Sequence, residues 1–418
     1  MEKKKLDVLM ISGSFPPQRG GVASHVYYLT QALTRVTKGR WDTTKVCGVE
    51  VLTGSGEAKA EGVPDRIRFF TVYRKPFDAE IDGMPFSSGG SAPYLKTIHF
   101  AQKHWLKRRP DVVHAHDLES AYIGWMLKTA FGVPLVVTIH KTPKEWDEEA
   151  PKRDPKDCFL GAMLKGDWAD KLVAPSSAYA DRLHAQGFAE HRVTKILHGV
   201  PVKWLSSHAK NPKVLERFQL QKSDQFVLCP SRIDEHKGID TLIGAAKILR
   251  GEAAARDLVY VVAGGGPKGY RDKLWQDIIQ NGLQDFVRLG PIDGGDCDLV
   301  EMATLYKTAV ACVIPSKREG FGQAVLEAFV FRSPVVAANT GGLPEIVAPK
   351  DGDRLGLLFH RDEAGDLASQ LLQVLADKNG RNERIARALA VVKEQFSADR
   401  MAHDYFALYC RVAGVTIK

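Results

Sequence analysis

Arg232 and Lys237 stand close together in PSRIDEHKG, directly after the apolar run FVLC. A planar guanidinium and a compact ammonium on one strand-to-helix loop could neutralise a diphosphate, the first through its fork and the second as a point charge. Asp234 and Glu235 lie between them, so the same residues also read as a solvated charge cluster. Glu319 and Glu327 form a second pair in PSKREGFGQAVLEAF. From about Gln323 this segment reads as a helix that is otherwise apolar (Ala324, Val325, Leu326, Ala328, Phe329), and a glutamate in such a setting needs a polar partner. Glu327 could accept hydrogen bonds from a diol such as a ribose. Glu319, on the loop that holds Gly320 and Gly322, could hold hydroxyls of a second sugar.

Three further segments carry candidate chemistry. Gly20 and Gly21 precede a helix beginning near Val22, so backbone N–H groups and the positive helix end could meet a phosphate; a tight turn would use the same glycines. His114 and His116 in DVVHAHD share one face of a strand and could ligate a metal with a third group. No carboxylate or cysteine spacing completes such a site, and no metal is expected. His140, closing VVTIH, is better placed to touch a substrate beyond the strand end. The run from Gly264 to Gly269 matches the dinucleotide spacing G-x-G-x-x-G, but it falls mid-domain and no acid closes the following strand, so a nicotinamide or flavin is not expected.

These loops need a scaffold. Short β-branched runs alternate with amphipathic stretches along the chain, first from LDVLMIS to TKILHG and again from QFVLCPS through LVYVVAGGG, FVRLG and VACVIPS to PVVAAN. Continuous apolar runs suit parallel strands buried on both faces, so the expected class is α/β, two doubly wound Rossmann-like sheets in series. The stretch VPVKWLSSHAKNPKVLERFQLQKSD lacks strand character and reads as the interdomain connection. The expected division is residues 1–205, residues 206–396 and a C-terminal aromatic helix over 397–418 that packs on either domain.

Composition narrows the partners. The chain has 418 residues, 44% apolar and 26% charged, which excludes a disordered tail, a coiled coil or a fibrous repeat. Of 58 basic and 50 acidic residues, 30 and 23 fall in residues 1–205, against 28 and 27 in the remainder. Seven of the eight net positive charges therefore lie in the first half. The clusters Lys3–Lys5, Lys107–Arg109 and Lys152–Lys156 would suit an acidic acceptor or an anionic membrane surface, as well as a merely soluble basic face. They lack interleaved aromatics, so nucleic acid is not expected. The six cysteines make no Cys-x-x-Cys pair, and Cys229 and Cys312 lie in apolar runs, which points to a reducing compartment. The basic start MEKKKLDVLMISG lacks a cleavage site and reads as a first strand. The expected location is the cytoplasm, with peripheral contact at the inner membrane face.

Taken in order, these motifs resemble the retaining GT-B-fold transferases of glycosyltransferase family 4. The resemblance covers nearly the whole chain and is strongest over residues 226–347, through SRIDEHKG, VVAGGGP, VRLGPI, PSKREGFGQAVLEAF and PVVAANTGGLPEIV. It implies two Rossmann-like domains facing across a cleft and transfer of a hexosyl group from a UDP- or GDP-sugar to a sugar, lipid-linked or other hydroxyl acceptor, without metal or other cofactor. By that similarity Arg232 and Lys237 bind the donor diphosphate, approached by Gly20 and Gly21. Glu327 binds the ribose, Glu319 the donor sugar, and the backbone of Gly320, Phe321, Gly322 and Gln323 lines the sugar and phosphate pocket. His140 contacts the transferred sugar, and the loop from Arg288 through Gly290 receives the nucleobase. The family's frequent Asn-Gly-Val-Asp is His198-Gly199-Val200-Pro201 here, and its usual aromatic before Glu-Gly-Phe-Gly is Arg318. A GT-B nucleotide-sugar epimerase or hydrolase would instead consume donor without acceptor. A non-catalytic binding protein would lack one of Arg232, Lys237 or Glu319.

Overall fold

The computed structural model describes residues 5–16, 20–36, 45–53, 66–67, 70–74, 109–140, 165–292, 297–349 and 354–416. They divide into two compact units, Met1–Gly199 with Ala398–Lys418, and Val200–Ser397. Among the described residues no helix is long and apolar enough to cross a membrane. Of the basic clusters, Lys3, Lys4, Lys107, Arg108 and Lys152–Lys156 lie outside the described residues.

The first unit holds an eight-stranded sheet in the order β3-β4-β2-β1-β5-β6-β7-β8. Its strands are β1 (Lys5–Ser12), β2 (Lys45–Thr53), β3 (Arg66–Ile67), β4 (Phe70–Arg74), β5 (Val112–His116), β6 (Leu135–Thr138), β7 (Lys171–Ala174) and β8 (Val193–Lys195). Every pairing is parallel except β3 with β4. Strand β5 is buried along its whole length, as its unbroken VVHAH pattern demands in a sheet covered on both faces. Helix α1 (Gly21–Val36) follows β1, and α2 (Asp117–Phe131) follows β5. One side of the sheet buries Leu9, Ile11, Val113, Ala115, Leu135 and Val137 against Ile123 and Leu127 of α2.

The second unit holds six parallel strands in the order β11-β10-β9-β12-β13-β14. They are β9 (Phe226–Cys229), β10 (Val259–Val262), β11 (Val287–Leu289), β12 (Ala311–Ile314), β13 (Val335–Ala338) and β14 (Leu357–Phe359). Successive strands step outward from β9 to β11, then the chain returns beside β9 at β12 and steps the other way. That reversal makes β9/β12 the switch point, the place in such sheets whose carboxyl-end loops usually carry the ligand site. Helix α3 (Ile239–Leu249) follows β9, and α4 (Gln323–Val330) follows β12.

The stretch read as an interdomain connection carries two short helices, Val202–Ser206 and Lys213–Glu216. It buries Leu205, Val214, Leu215, Phe218 and Leu220, so it is packed structure of the second unit. The last helix, α5 (Ala398–Val412), belongs to the first unit and buries Met401, Tyr405, Phe406 and Tyr409. Cys229, Cys297, Cys312 and Cys410 are buried free thiols, and burial pushes Cys229 up to about 11.

Candidate active site

The loops after β9 and β12 are tied together in the second unit. Backbone N–H groups of Lys317 and Arg318 donate to the carbonyl of His236 at 2.9 and 3.4 Å. Lys237 closes a short 3-10 turn (Glu235–Lys237) and is followed by Gly238 in the left-handed region, φ 65°. A Cβ at Gly238 would stand 1.9 Å from the carbonyl oxygen of Pro315, so only glycine lets the two loops approach this closely. The result is a direct ion pair: Lys237 Nζ donates to Glu319 Oε2 at 2.8 Å, and Ser316 Oγ donates to the same oxygen at 3.1 Å. Sequence reading found Lys237 and Glu319 separately; it missed Ser316, whose type and position gave no distinctive signal.

Arg232 lies on the same loop as Lys237, its side chain 59% exposed and 3.8 Å from Asp234. A guanidinium this open keeps donors available to an anion. The loop rests on the glycine run after β10, where a Cβ at Gly266 would meet the Ile233 carbonyl oxygen at 2.1 Å. Ile233 N–H in turn donates to the Gly265 carbonyl at 2.9 Å. The G-x-G-x-x-G match is therefore the bed on which the cationic loop lies. Gly290, after β11, hydrogen-bonds to the Val262 carbonyl on the flank of the same run. The Arg288 side chain donates to the Gln284 carbonyl at 3.3 Å.

Helix α4 starts at Gln323, after Gly322. Both polar atoms of the Gln323 carboxamide are buried and find no hydrogen-bond partner among the described residues. Phe321 is buried, and Gly320 beside it is half-buried. Glu327 receives a hydrogen bond from the Tyr306 hydroxyl at 3.3 Å, and burial pushes its carboxyl up to about 7. Tyr306, another residue that sequence reading missed, is the polar partner that a glutamate on an apolar helix requires.

The first unit assembles a different chemistry. Gly20 and Gly21 stand at the start of α1, where a Cβ on either would meet no atom of the described residues within 4 Å, and His140 lies two residues beyond β6. His140 Nε2 is 3.1 Å from His116 Nδ1. The third group that the sequence did not disclose is His25 of α1: one nitrogen from each of His25, His116 and His140 lies within 4.8 Å of the others. His198, which replaces the asparagine common in the resembled family, places its ring 3.9 Å from that of His25. The ring of His114 packs beside that of His116, with centroids 4.1 Å apart, but its nitrogens are engaged elsewhere. Its Nδ1 is 2.6 Å from the Tyr409 hydroxyl and its Nε2 2.7 Å from Thr138 Oγ1, which also meets the Tyr405 hydroxyl at 2.8 Å. Helix α5 thus holds the strand ends that carry His116 and His140. Burial lowers the pKa values of His25, His116 and His198, and that of His114 to about 3, so these imidazoles are neutral at pH 7.

Comparison with known proteins identifies the family and the fold. Residues 19–204 match the family model for Glycosyltransferase Family 4, and residues 211–390 that for Glycosyl transferases group 1. The D-inositol 3-phosphate glycosyltransferase of Actinosynnema mirum is 32% identical over 311 residues, covering 72% of each chain. The chain belongs to glycosyltransferase family 4. A Gordonia bronchialis protein of the same name extends the similarity to 94% of this glycosyltransferase and 85% of its relative, at 29% identity. Among solved structures, sucrose-phosphate synthase from Thermosynechococcus elongatus superposes with a TM-score of 0.76 over 98% of this chain and 99% of its own, at 21% identity. Anabaena HepE in complex with UDP and glucose gives 0.73 over 97% and 100%, at 19% identity. These structures establish the GT-B fold of the family 4 chain.

Proposed function

We propose that this glycosyltransferase moves a hexosyl group from a nucleotide-diphosphate sugar to a hydroxyl of an anionic acceptor, with retention at the anomeric carbon and without a metal. The observation that carries this reading is the Lys237–Glu319 pair at the β9/β12 switch point. A nucleotide sugar joins phosphate to sugar through one oxygen. A cation for the first and an acid for the second must therefore be neighbours, and here they are in contact. The open guanidinium of Arg232 adds a second cation on the same loop. In this reading Glu327, whose carboxyl burial raises to about 7, takes the ribose diol. UDP-glucose is bound by the similarly folded HepE, which favours the uridine series among donors.

The mechanism follows from charge. As the bond between the anomeric carbon and the phosphate oxygen breaks, positive charge grows on the sugar ring and negative charge on the diphosphate. Lys237 and Arg232 stabilise the latter, as preorganised donors do for any developing oxyanion. Among the described residues we assign no second carboxylate as the nucleophile of a double displacement. The acceptor oxygen therefore bonds on the face the phosphate leaves, and the departing phosphate oxygen takes the acceptor's proton. His140 contacts the transferred sugar in this reading. The acceptor falls to the first domain, whose basic surplus suits an anionic polyol, and the relatives' name specifies an inositol phosphate.

The test is incubation of the full chain with UDP-, GDP- and ADP-hexoses, chelator present, and either inositol phosphate or free inositol. Proton NMR of the product would show one donor series consumed, an anomeric coupling matching the donor, and preference for the phosphorylated acceptor. Donor consumption independent of acceptor, or inverted configuration, would overturn the reading.

A further inference from the structure

The histidine cluster of the first unit has more to offer than contact with a sugar. The rings of His25, His116 and His140 form a nearly regular triangle, with centroids 5.4, 4.9 and 5.4 Å apart. Three imidazoles bound tetrahedrally at metal–nitrogen distances of about 2.1 Å would have centroids roughly 5 Å apart. His25 is fully buried, and neither of its ring nitrogens meets a hydrogen-bond partner among the described residues. The Nε2 atom of His116 is likewise buried and without a partner among them. Buried imidazole nitrogens left in this state are unfavourable and ask for a ligand. Among the described residues neutral nitrogen donors alone make up the group, the set that suits zinc and its neighbours rather than magnesium or calcium.

The geometry points to a zinc-type metal site formed by His25, His116 and His140, which captures a divalent transition-metal ion and so withdraws His140 from substrate. The ion takes one ring nitrogen from each residue and leaves a fourth position for water. Its support is rigid: the strand ends carrying His116 and His140 are held by the Tyr409–His114–Thr138–Tyr405 hydrogen-bond chain. His114 stays outside, because both of its nitrogens are already engaged there. The site itself needs nothing from the proposed reaction. Only its consequence, inhibition by zinc, rests on the role proposed for His140.

Two measurements on the full chain separate those claims. Calorimetric titration of metal-free protein with zinc sulfate should give about one ion per chain, with binding weakened at least about tenfold in His25→Ala and in His116→Ala. Cobalt(II) added to the wild-type protein should give the intense visible absorption of a four-coordinate site, an outcome that needs no variant to fold. Absence of both the stoichiometric zinc binding and the four-coordinate cobalt spectrum overturns the site. Zinc should also inhibit glycosyl transfer by the wild-type chain, reversibly on chelation, while His25→Ala transfers normally and resists zinc. Stoichiometric zinc binding with full transferase activity would leave the metal site standing and overturn the role given to His140.

Discussion

The two units of this glycosyltransferase keep their chemistry in opposite states. In the second, an ammonium, a guanidinium and the Glu319 carboxylate gather on loops at a switch point, partly open to water, with Glu327 on the helix that follows. In the first, imidazoles and phenols are buried, neutral and gathered from five separate elements. Charge on exposed loops suits a ligand that arrives charged and leaves more so. Buried neutral rings suit shape, soft ligands and exclusion of water. The difference also predicts how each unit fails.

Removing a charge should matter most. Lys237→Ala is expected to lower turnover at saturating donor by roughly 100-fold or more, the loss typical of one transition-state donor. Steady-state kinetics would detect it, and near-normal turnover would mean the ammonium serves structure alone. Lowering pH should instead find the first unit. Histidines whose folded pKa values lie below the usual 6.5 bind fewer protons folded than unfolded, so the stability they contribute is complete above 6.5 and drains away as pH falls. Each such group costs about 1.4 kcal/mol per pH unit. Hydrogen exchange corrected for its intrinsic pH dependence, followed from pH 7.5 to 5.5, should show the sheet around β5 and β6 opening before that around β9 and β12. Equal loss in both units would remove the contrast.

Smaller effects sharpen it. Glu327→Gln should weaken donor binding about tenfold, the scale of one charge-assisted hydrogen bond, readable by calorimetry. The same substitution has a stability signature of opposite sign to that of the histidines. A carboxyl raised to about 7 holds a proton in the folded state that the unfolded chain releases near 4.5, so wild-type stability declines as pH rises between those values. The variant should not share that decline. Tyr409→Phe should cost about 1 kcal/mol through the lost bond to His114, seen as earlier urea unfolding of the first unit. An unchanged midpoint would show that the hydroxyl is dispensable.

The same contrast governs what the amino-acid sequence discloses. Strands such as FVLC, VYVV and VVHAH are legible because burial on both faces leaves unbroken apolar runs. Lys237 and Glu319 are legible because each sits in a compact polar loop against an apolar background, and adjacent strands then bring the loops together. His25 was not legible: among Val26, Tyr27 and Tyr28 on a helix it reads as core, and no spacing links residue 25 to residues 116 and 140. Spacing did link His114 with His116, yet Tyr409, 295 positions away, claims His114. The stretch around Phe218 read as a connection because its apolar residues are sparse, although nearly all of them are buried. The glycine run at 264–269 matched a cofactor loop because a chain that must approach a phosphate and one that must approach another backbone face the same steric demand.

The central claim is that Lys237 and Arg232 receive the diphosphate of the donor. Isothermal calorimetry of UDP and UMP against the wild-type chain and Lys237→Ala, in metal-free buffer, tests it most directly. The wild type should prefer UDP by at least about tenfold, and the variant should lose most of that preference while still binding UMP. Equal binding of both nucleotides by the wild type, or an undiminished preference in Lys237→Ala, would contradict it.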